Sequence, residues 1–440
     1  MNNEELLEKA KEIHAANGEC AAKTAWELRE MFGLGPSKIA KVLSDLKGYD
    51  IDSCTIAKAL RDGLGCDYKT VAWALKPFDL GLSEPDIARV LRDGLDLSAP
   101  YIARALYDSH GCNMDAEGVA RALREGLNLT DGGVAYVIYH PYGLSLGIDA
   151  TVMAMTKGLR CSAEATARAL QVGLDLPAAE IAVALRRGLK LDDYQVARVL
   201  FFQREDMQLN PARFAEVLQK GLKLSPNEVA KIMKTSCGSL APSQIAKALE
   251  LGCNLSVTDV ARALHSGTGC NISTAEVAKA LMNGMEMAVW EVAEILRDGL
   301  NLRNEEIAQA LHFGCGAIFH EVAQGMKNGL DLSADEIAKA LFFMRDVSLP
   351  LSEIAGALKT GRGFGLNGAE IAKVLHEALG RYAEEIAKAL RDGLGLDAEG
   401  VARELRKGCA FTSKEIVMAL NSKDGLTSPL RKLLGFCVRT

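Results

Sequence analysis

The sequence is poor in aromatic residues and proline, and it has no long uninterrupted hydrophobic run. Aromatic side chains make up 5% of the 440 residues, and there are 11 prolines. No apolar run approaches the ~18 residues of a membrane-spanning helix. The segment that begins at Met1 is acidic and has no hydrophobic signal core. These absences argue against a membrane protein and against secretion, so we expect a cytoplasmic protein.

Metal and catalytic motifs are also missing. The 11 cysteines include no C-x-x-C pair, which indicates free thiols that pack in the core. The 7 histidines are scattered, and neither G-x-S-x-G nor a P-loop occurs. His312, Cys315 and His320 lie near one another but lack the four paired ligands typical of zinc. We therefore expect a protein that is not an enzyme and has no metal or cofactor.

The balance of the remaining residues is that of an ordinary folded chain. Apolar residues make up 49% and charged residues 25%, and the formal net charge is -6. This composition excludes a disordered, collagen-like or disulfide-rich chain. The structural information lies in how these residues repeat.

A five-residue core, [IV]-A-x-A-L, recurs along the chain, as in Ile245–Leu249. We count 25 repeats from residue 39 onward, and fifteen of the 24 intervals are 15 residues long, the others 16 to 18. Alanine stands second in 23 of the 25 cores. A small residue at a fixed helical position allows close packing between helices, so we expect one short helix per repeat.

Each repeat also has helix start and stop signals. Ser333 and Glu336 have the spacing of a capping box at a helix N-terminus. Gly393 is followed by Leu394, which predicts a left-handed glycine that ends a helix of about ten residues. An isolated helix of this length is marginal in water. The repeats must therefore stabilise one another by packing.

The longer intervals predict how the helices pair. The first seven of them all follow odd-numbered repeats, which predicts hairpins of about 30–33 residues with the longer loops along one edge. In seven longer loops another residue replaces the glycine: Leu46, Phe78, Ser109, Pro141, Gln203, Ser236 and Met344. We predict an all-α solenoid, either a superhelix or a ring. It would form one continuous domain over 1–440, with an N-terminal cap at 1–23, the repeat array at 24–422 and a C-terminal cap at 423–440.

In architecture such an array resembles the HEAT, armadillo and TALE-like classes. The resemblance is generic, since HEAT and armadillo repeats are about 40 residues long. The paired base-reading positions expected in a TALE-like array do not occur in this sequence. The resemblance therefore implies a binding surface built from repeats but no specific family.

The middle slot of the core, the x of [IV]-A-x-A-L, is the first candidate binding surface. It is basic in 15 of 25 repeats, which would form a stripe for nucleic acid. Ten of these fifteen basic residues are the named candidates for the stripe: Lys58, Arg89, Arg104, Arg121, Arg168, Arg198, Lys231, Lys247, Arg262 and Lys279. The alternative is a solvated face, because Glu commonly stands three residues earlier and pairs with the basic residue. Basic slots occur in 7 of 13 odd and 8 of 12 even repeats, so neither layer is favoured and the solvated face is the better interpretation.

Aromatic residues provide the second candidate surface. Phe201 and Phe202 follow one helix, and Phe342 and Phe343 follow another, both before turns without glycine. Aromatic anchors often centre protein interfaces, although a long loop could instead bury its own phenylalanines, which we favour. Middle slots Trp73 and Tyr136 are further candidate contacts.

These features favour a non-enzymatic scaffold that binds a protein or peptide on an extended repeat surface. The alternative is nucleic-acid binding, to RNA or in association with ribosomes, through the Lys/Arg stripe. A third interpretation is self-assembly through exposed end repeats.

Overall fold

The computed structural model describes residues 3–46, 48–76, 80–236, 238, 240–345, 347–359 and 364–421. These residues form helices and turns, and their only β contact is an isolated parallel bridge between Lys359 and Leu366. Phe78 and the predicted C-terminal cap at 423–440 lie outside the described residues. The prediction of an all-α fold is confirmed.

The chain divides into two compact units. Unit 1 comprises Met1–Leu209 with Lys220–Leu222, and unit 2 comprises Asn210–Gln219 with Lys223–Thr440. The boundaries predicted for one continuous domain and its N-terminal cap stay a prediction. The helices before residue 210 are α1 (Asn3–Ala16), α2 (Ala21–Phe32), α3 (Pro36–Ser44), α4 (Ser53–Leu64), α5 (Tyr68–Leu75), α6 (Glu84–Leu95), α7 (Ala99–Tyr107), α8 (Ala116–Arg121), α9 (Asp131–Tyr139), α10 (Ile148–Met153), α11 (Ala163–Leu174), α12 (Ala178–Leu189) and α13 (Asp193–Phe202).

The later helices continue the same pattern. They are α14 (Pro211–Glu216), α15 (Pro226–Ser236), α16 (Pro242–Cys253), α17 (Val257–His265), α18 (Thr274–Met285), α19 (Val289–Leu300), α20 (Asn304–Cys315), α21 (Phe319–Leu330), α22 (Ala334–Phe342), α23 (Leu351–Leu358), α24 (Gly368–Glu377), α25 (Ala383–Leu394), α26 (Ala398–Cys409) and α27 (Ser413–Asn421). Helices α8, α10 and α14 each continue into a π-helical segment: Ala122–Gly126, Ala154–Gly158 and Val217–Gly221.

Within each unit the helices form two layers. Most helices pack on the helix two positions along the chain, as α2 does on α4 and α16 on α18, and they touch their immediate neighbours less extensively. Odd-numbered helices therefore make one layer and even-numbered helices the other. Successive helices form hairpins stacked side by side, which confirms the predicted α-solenoid packing.

The core consists of the four apolar positions of each repeat. In α16, Ile245, Ala246, Ala248 and Leu249 are all 2% exposed or less. The same positions are buried in nearly every helix because they fall on one side of a 3.6-residue period. The alanines lack bulk, so the facing helices can approach closely. The middle slot lies on the opposite side and faces solvent.

The capping box at the start of α22 is present as predicted. The Ser333 hydroxyl accepts a hydrogen bond from the Glu336 backbone N–H at 3.3 Å, and Glu336 Oε2 accepts from the Ser333 N–H at 2.9 Å. Two of the backbone donors left free at the helix start are thus satisfied. Local sequence signals alone are enough to place this helix end.

The glycine near the end of the longer helices has a different role from the predicted one. Gly393 lies inside α25, and the left-handed residue is Gly395, with φ 70°. A Cβ atom at Gly393 would lie 2.2 Å from the carbonyl oxygen of Ser352, in the first turn of α23. The prediction of a glycine cap was therefore wrong: a side chain is excluded here because a neighbouring backbone touches the helix. The helix consequently has 12 residues instead of about ten.

Candidate functional site

The middle slots point outward in both layers. Nine of the ten basic residues predicted as a stripe are exposed, and Arg104 is half-buried. Five lie on even-numbered helices: Lys58, Arg89, Arg121, Lys247 and Lys279. The other five lie on odd-numbered helices: Arg104, Arg168, Arg198, Lys231 and Arg262. The structure therefore divides these residues between two layers, and the nucleic-acid stripe stays a prediction.

Several of these basic residues make intramolecular contacts. Arg89 pairs with Asp86 at 2.9 Å. Arg104 donates hydrogen bonds to the carbonyl oxygens of Gly143 and Pro141, both at 2.9 Å. Arg168 pairs with Asp206 at 3.2 Å, and Arg262 pairs with Asp259 at 3.3 Å. Lys58, Arg121, Lys231, Lys247 and Lys279 make no hydrogen bond or ion pair with the residues that the structure describes.

A second set of basic residues, which was not predicted from the sequence, connects helices within a layer. Arg61 directly follows the core leucine of α4 and donates to the carbonyl oxygen of Leu95 at the end of α6, at 3.3 Å. Arg29 and Arg297 make the equivalent bonds from α2 and α19. The last carbonyls of a helix lack intrahelical partners and carry partial negative charge. These arginines therefore have a structural role.

Aromatic side chains gather on the odd-numbered layer of unit 1. Five of them, which we call the aromatic face, are 39% to 74% exposed: Trp73, Tyr101, Tyr107, Tyr136 and Tyr142. They lie on α5, α7 and α9 and in the turn after α9, and these helices pack on one another in sequence. The structure thus places the predicted contacts Trp73 and Tyr136 on one layer. The three other tyrosines of this face were not predicted from the sequence.

The missed tyrosines had a recognisable signal. Tyr101 stands three residues before the middle slot Arg104, and Tyr107 stands three residues after it. Side chains three apart share one face of a helix, so both lie beside an outward-facing slot. A search of positions three residues to either side of each middle slot would have found them.

The end of α9 organises the aromatic face further. His140 stacks between Tyr136 and Tyr142, with ring centroids 4.6 and 5.1 Å apart and interplanar angles of 19° and 22°. The guanidinium of Arg104 is held at the same turn by its two carbonyl bonds. The result is a row of three stacked rings beside a fixed cation.

Opposite charges flank this face. Lys69 of α5 forms an ion pair with Asp108 at the end of α7. The hydrogen bond from Lys69 lowers the pKa of the Asp108 carboxyl below its usual value. The pair links two helices that both carry members of the aromatic face.

The two phenylalanine pairs are each only partly buried. Phe202 and Phe343 are 62% and 60% exposed, whereas Phe201 and Phe342 are half-buried. The Phe201 ring lies under the Arg204 guanidinium at 4.3 Å, and the Arg381 guanidinium lies over Phe342 at 4.5 Å. The residues that point inward at these turns are instead Gln203 and Met344, 6% and 5% exposed. A role for all four phenylalanines in partner binding stays a prediction.

The His/Cys group has a local structural arrangement. His312 Nδ1 is 2.9 Å from the carbonyl oxygen of Ala317, and its ring stacks on Phe319 with centroids 4.5 Å apart. Among the described residues, no group of three or more His, Cys, Asp or Glu is arranged to hold a metal. No described helix is both long and apolar enough to cross a bilayer.

The cysteines that the structure describes are free thiols. Cys112, Cys253 and Cys270 are buried, and the others are half-buried. Burial raises the pKa of the Cys112 and Cys270 thiols to about 11. These two side chains are therefore protonated at neutral pH.

Neither protein-family models nor curated proteins provide a relative of this chain. No protein-family model matches the chain, and a search of curated proteins finds no significant match.

Proposed function

We propose that the protein is a non-enzymatic repeat scaffold that binds an extended segment of a partner protein along the aromatic face. The observation that supports this proposal is the exposure of five large aromatic side chains on one layer of unit 1. Tyrosine, tryptophan and arginine dominate the energetically important positions of protein interfaces. Large exposed apolar groups that cluster on a folded protein often mark an interaction surface.

The spacing of this face suits an extended chain. Packed helices lie ~8–10 Å apart, so Trp73, Arg104 and Tyr136 occupy equivalent slots on three successive helices of one layer. An extended segment rises about 3.3 Å per residue, so about every third residue of a partner would meet the next slot. Tyrosine hydroxyls and the Arg104 guanidinium would bind backbone or polar groups between those contacts.

The test is a comparison of partner capture by three forms of the full chain. Trp73→Ala with Tyr136→Ala removes two members of the aromatic face. Trp290→Ala with Tyr382→Ala removes the same side-chain types elsewhere, and both of those residues are also exposed. We expect the first variant alone to lose proteins that the natural chain captures from native lysate.

Nuclease treatment separates the alternatives. Partners that depend on the aromatic face should survive nuclease. Equal capture by all three forms would contradict the proposal, and loss of the partners on nuclease treatment would favour the nucleic-acid alternative. Self-assembly predicts a mass by light scattering that rises with protein concentration, which can be measured on the same samples.

A further inference from the structure

On the even-numbered layer of unit 1, the residue before the helix-end glycine differs in charge from helix to helix. In α4 and α6 the residue before the helix-end glycine is acidic. It neutralises the arginine beside it: Arg61 pairs with Asp62 at 2.8 Å and Arg92 pairs with Asp93 at 2.7 Å. These helix ends therefore carry little net charge.

The sign of that slot reverses further along the layer. The equivalent residues are Lys157, in the π-helical segment that follows α10, and Arg187, at the end of α12. The left-handed residue that follows each helix changes in the same way. It is Gly65 after α4, whereas Arg160 and Lys190 follow α10 and α12 with φ 56° and 55°. Two independent slots thus become basic on the same two helices.

A groove of about 500 Å³ lies at the centre of this region. The cations that line it are Arg121 at the end of α8, Arg124 and Lys157 in the π-helical segments after α8 and α10, and Arg160 two residues beyond the second segment, with Glu125 as the acidic member. All five side chains are exposed.

Part of this positive charge is compensated and part is not. Arg124 lies 3.5 Å from Asp131, and Lys157 lies 3.8 Å from Glu117. By contrast, Arg121, Arg160, Arg187 and Lys190 make no hydrogen bond or ion pair with any residue in the described part of the chain. We call these four residues the unpaired cations. They occur in a protein whose formal net charge is -6, so general basicity does not explain them.

We propose that the basic groove, together with the end of α12, which packs on α10, binds the phosphate backbone of a nucleic acid. The site lies on the even-numbered layer, whereas the aromatic face lies on the odd-numbered layer. It therefore does not depend on the proposed scaffold function. It also differs from the predicted middle-slot stripe, with which it shares only Arg121.

Three features favour phosphates in a row over an acidic protein segment. Three of the four unpaired cations are arginines, whose planar guanidinium matches phosphate with two parallel hydrogen bonds. The cations recur on successive helices, which suits a ligand with regularly repeated charge. The groove lining includes no aromatic side chain that could anchor a protein or stack on a base. Binding should therefore be insensitive to nucleotide sequence.

The test uses fluorescence anisotropy with labelled oligo(U) and oligo(A) of about 30 nucleotides, titrated with the full chain between about 50 and 200 mM salt. The variant Arg121→Gln, Arg160→Asn, Arg187→Gln, Lys190→Asn removes the unpaired cations. Asparagine is chosen at the two left-handed positions because it tolerates that conformation. The control is Lys58→Gln, Lys231→Gln, Lys247→Gln, Lys279→Gln, which removes the same charge from exposed middle slots.

We expect the natural chain and the control to bind oligo(U) and oligo(A) with similar affinity. The groove variant should bind at least about tenfold more weakly at low salt, and its slope of log K against log salt should be smaller by about 3, since each single-strand phosphate contact contributes about 0.7. If the four changes together reduce folding by circular dichroism, Arg160→Asn with Lys190→Asn should show about half of that slope change.

Other outcomes would overturn the proposal. If the natural chain does not bind the oligonucleotides at low salt, the proposal is wrong. It is also wrong if the control variant loses as much affinity as the groove variant, because the binding would then belong to the middle slots. Polyglutamate that competes as well as RNA at equal charge would instead show that the groove accepts any acidic chain.

Discussion

Helices α16 and α17 contain the same core motif but end in different ways. In α16 the helix runs for 12 residues and brings Gly252 against the preceding helix of its layer, where a Cβ atom would lie 2.1 Å from the Ala212 carbonyl oxygen. In α17 the helix stops after 9 residues, and the turn folds back so that Cys270 N–H donates to Ala263 O at 3.0 Å. The Cys270 thiol then donates to the Ala230 carbonyl oxygen on α15 at 3.1 Å.

The difference shows that one packing requirement has two local solutions. In both cases the helix end must contact the backbone of the helix two positions earlier. A glycine allows this contact because it has no side chain. A buried cysteine makes the contact from a longer turn through its small side chain. Cys112 does the same against Ala72 after α7, at 3.4 Å. Contact with the neighbouring helix of the layer therefore explains why glycine or cysteine stands at these helix ends.

The largest expected effect comes from adding a methyl group to a contacting glycine. A Cβ atom at Gly284 would lie 2.4 Å from the backbone oxygen of Ser243. Because that atom belongs to a packed helix backbone, Gly284→Ala should destabilise the protein by about 2–3 kcal/mol. The matched control is Gly356→Ala in α23, where the nearest atom is 3.6 Å away. The control should be neutral or stabilising by up to about 1 kcal/mol, since alanine favours helix. Equal melting temperatures for the two variants would contradict the packing role of the glycine.

A smaller effect is expected at the cysteine end. Cys270→Ala removes a 3% exposed thiol and its contact with α15, which should lower the free energy of unfolding by about 1 kcal/mol.

The raised thiol pKa of about 11 also predicts that Cys270 resists alkylation at pH 8 in the folded protein, because the thiolate is the reactive form. Iodoacetamide labelling read by mass spectrometry measures this, with half-buried Cys20 as the internal reference. Labelling of Cys270 as fast as that of Cys20 would contradict the buried position.

The smallest effect concerns the N-terminal helix α1, which ends in neither a contacting glycine nor a buried cysteine. His14 of α1 is 1% exposed, and its Nδ1 lies 2.9 Å from the Thr24 hydroxyl of α2. Burial lowers the pKa of His14 below its usual value of 6.5, so the unfolded chain binds the proton more tightly than the folded one. The stabilisation of the folded state by neutral His14 is therefore fully present above about pH 6.5. It is lost as the pH falls through the pKa of His14 in the folded protein. Hydrogen exchange of α1 should speed up at pH 5 relative to α4, and His14→Gln should reduce this pH dependence.

Much of the fold was predictable because each repeat encodes its own helix. Apolar positions such as Ile245 and Leu249 fall on one helical face, and Ser333 with Glu336 marks a helix start. The positions of the long turns also predicted the two layers, since the first seven of them all follow odd-numbered repeats. All of these signals depend on residues close together in the sequence, where helical geometry is known in advance.

The candidate surfaces were less predictable. The exposure of Trp73 and Tyr136 follows from their slot, but Tyr142 belongs to a turn whose path depends on contacts with α7. The same limit applies to Arg160: its slot is visible in the sequence, yet its proximity to Arg121 depends on how α8 and α10 pack. Distances between repeats are not encoded by the spacing within one repeat.

The sequence by itself determined the all-α class, one helix for each of the 25 repeats, and which side chains of those repeats are buried, because period and capping act within about ten residues. Only the tertiary structure decided that Gly393 is a contact and not a cap. The local sequence allows a left-handed residue at Gly393 and equally at Gly395, two residues later. The approach of Ser352 from another helix selects the longer helix, since only there does the missing side chain make room for a backbone carbonyl.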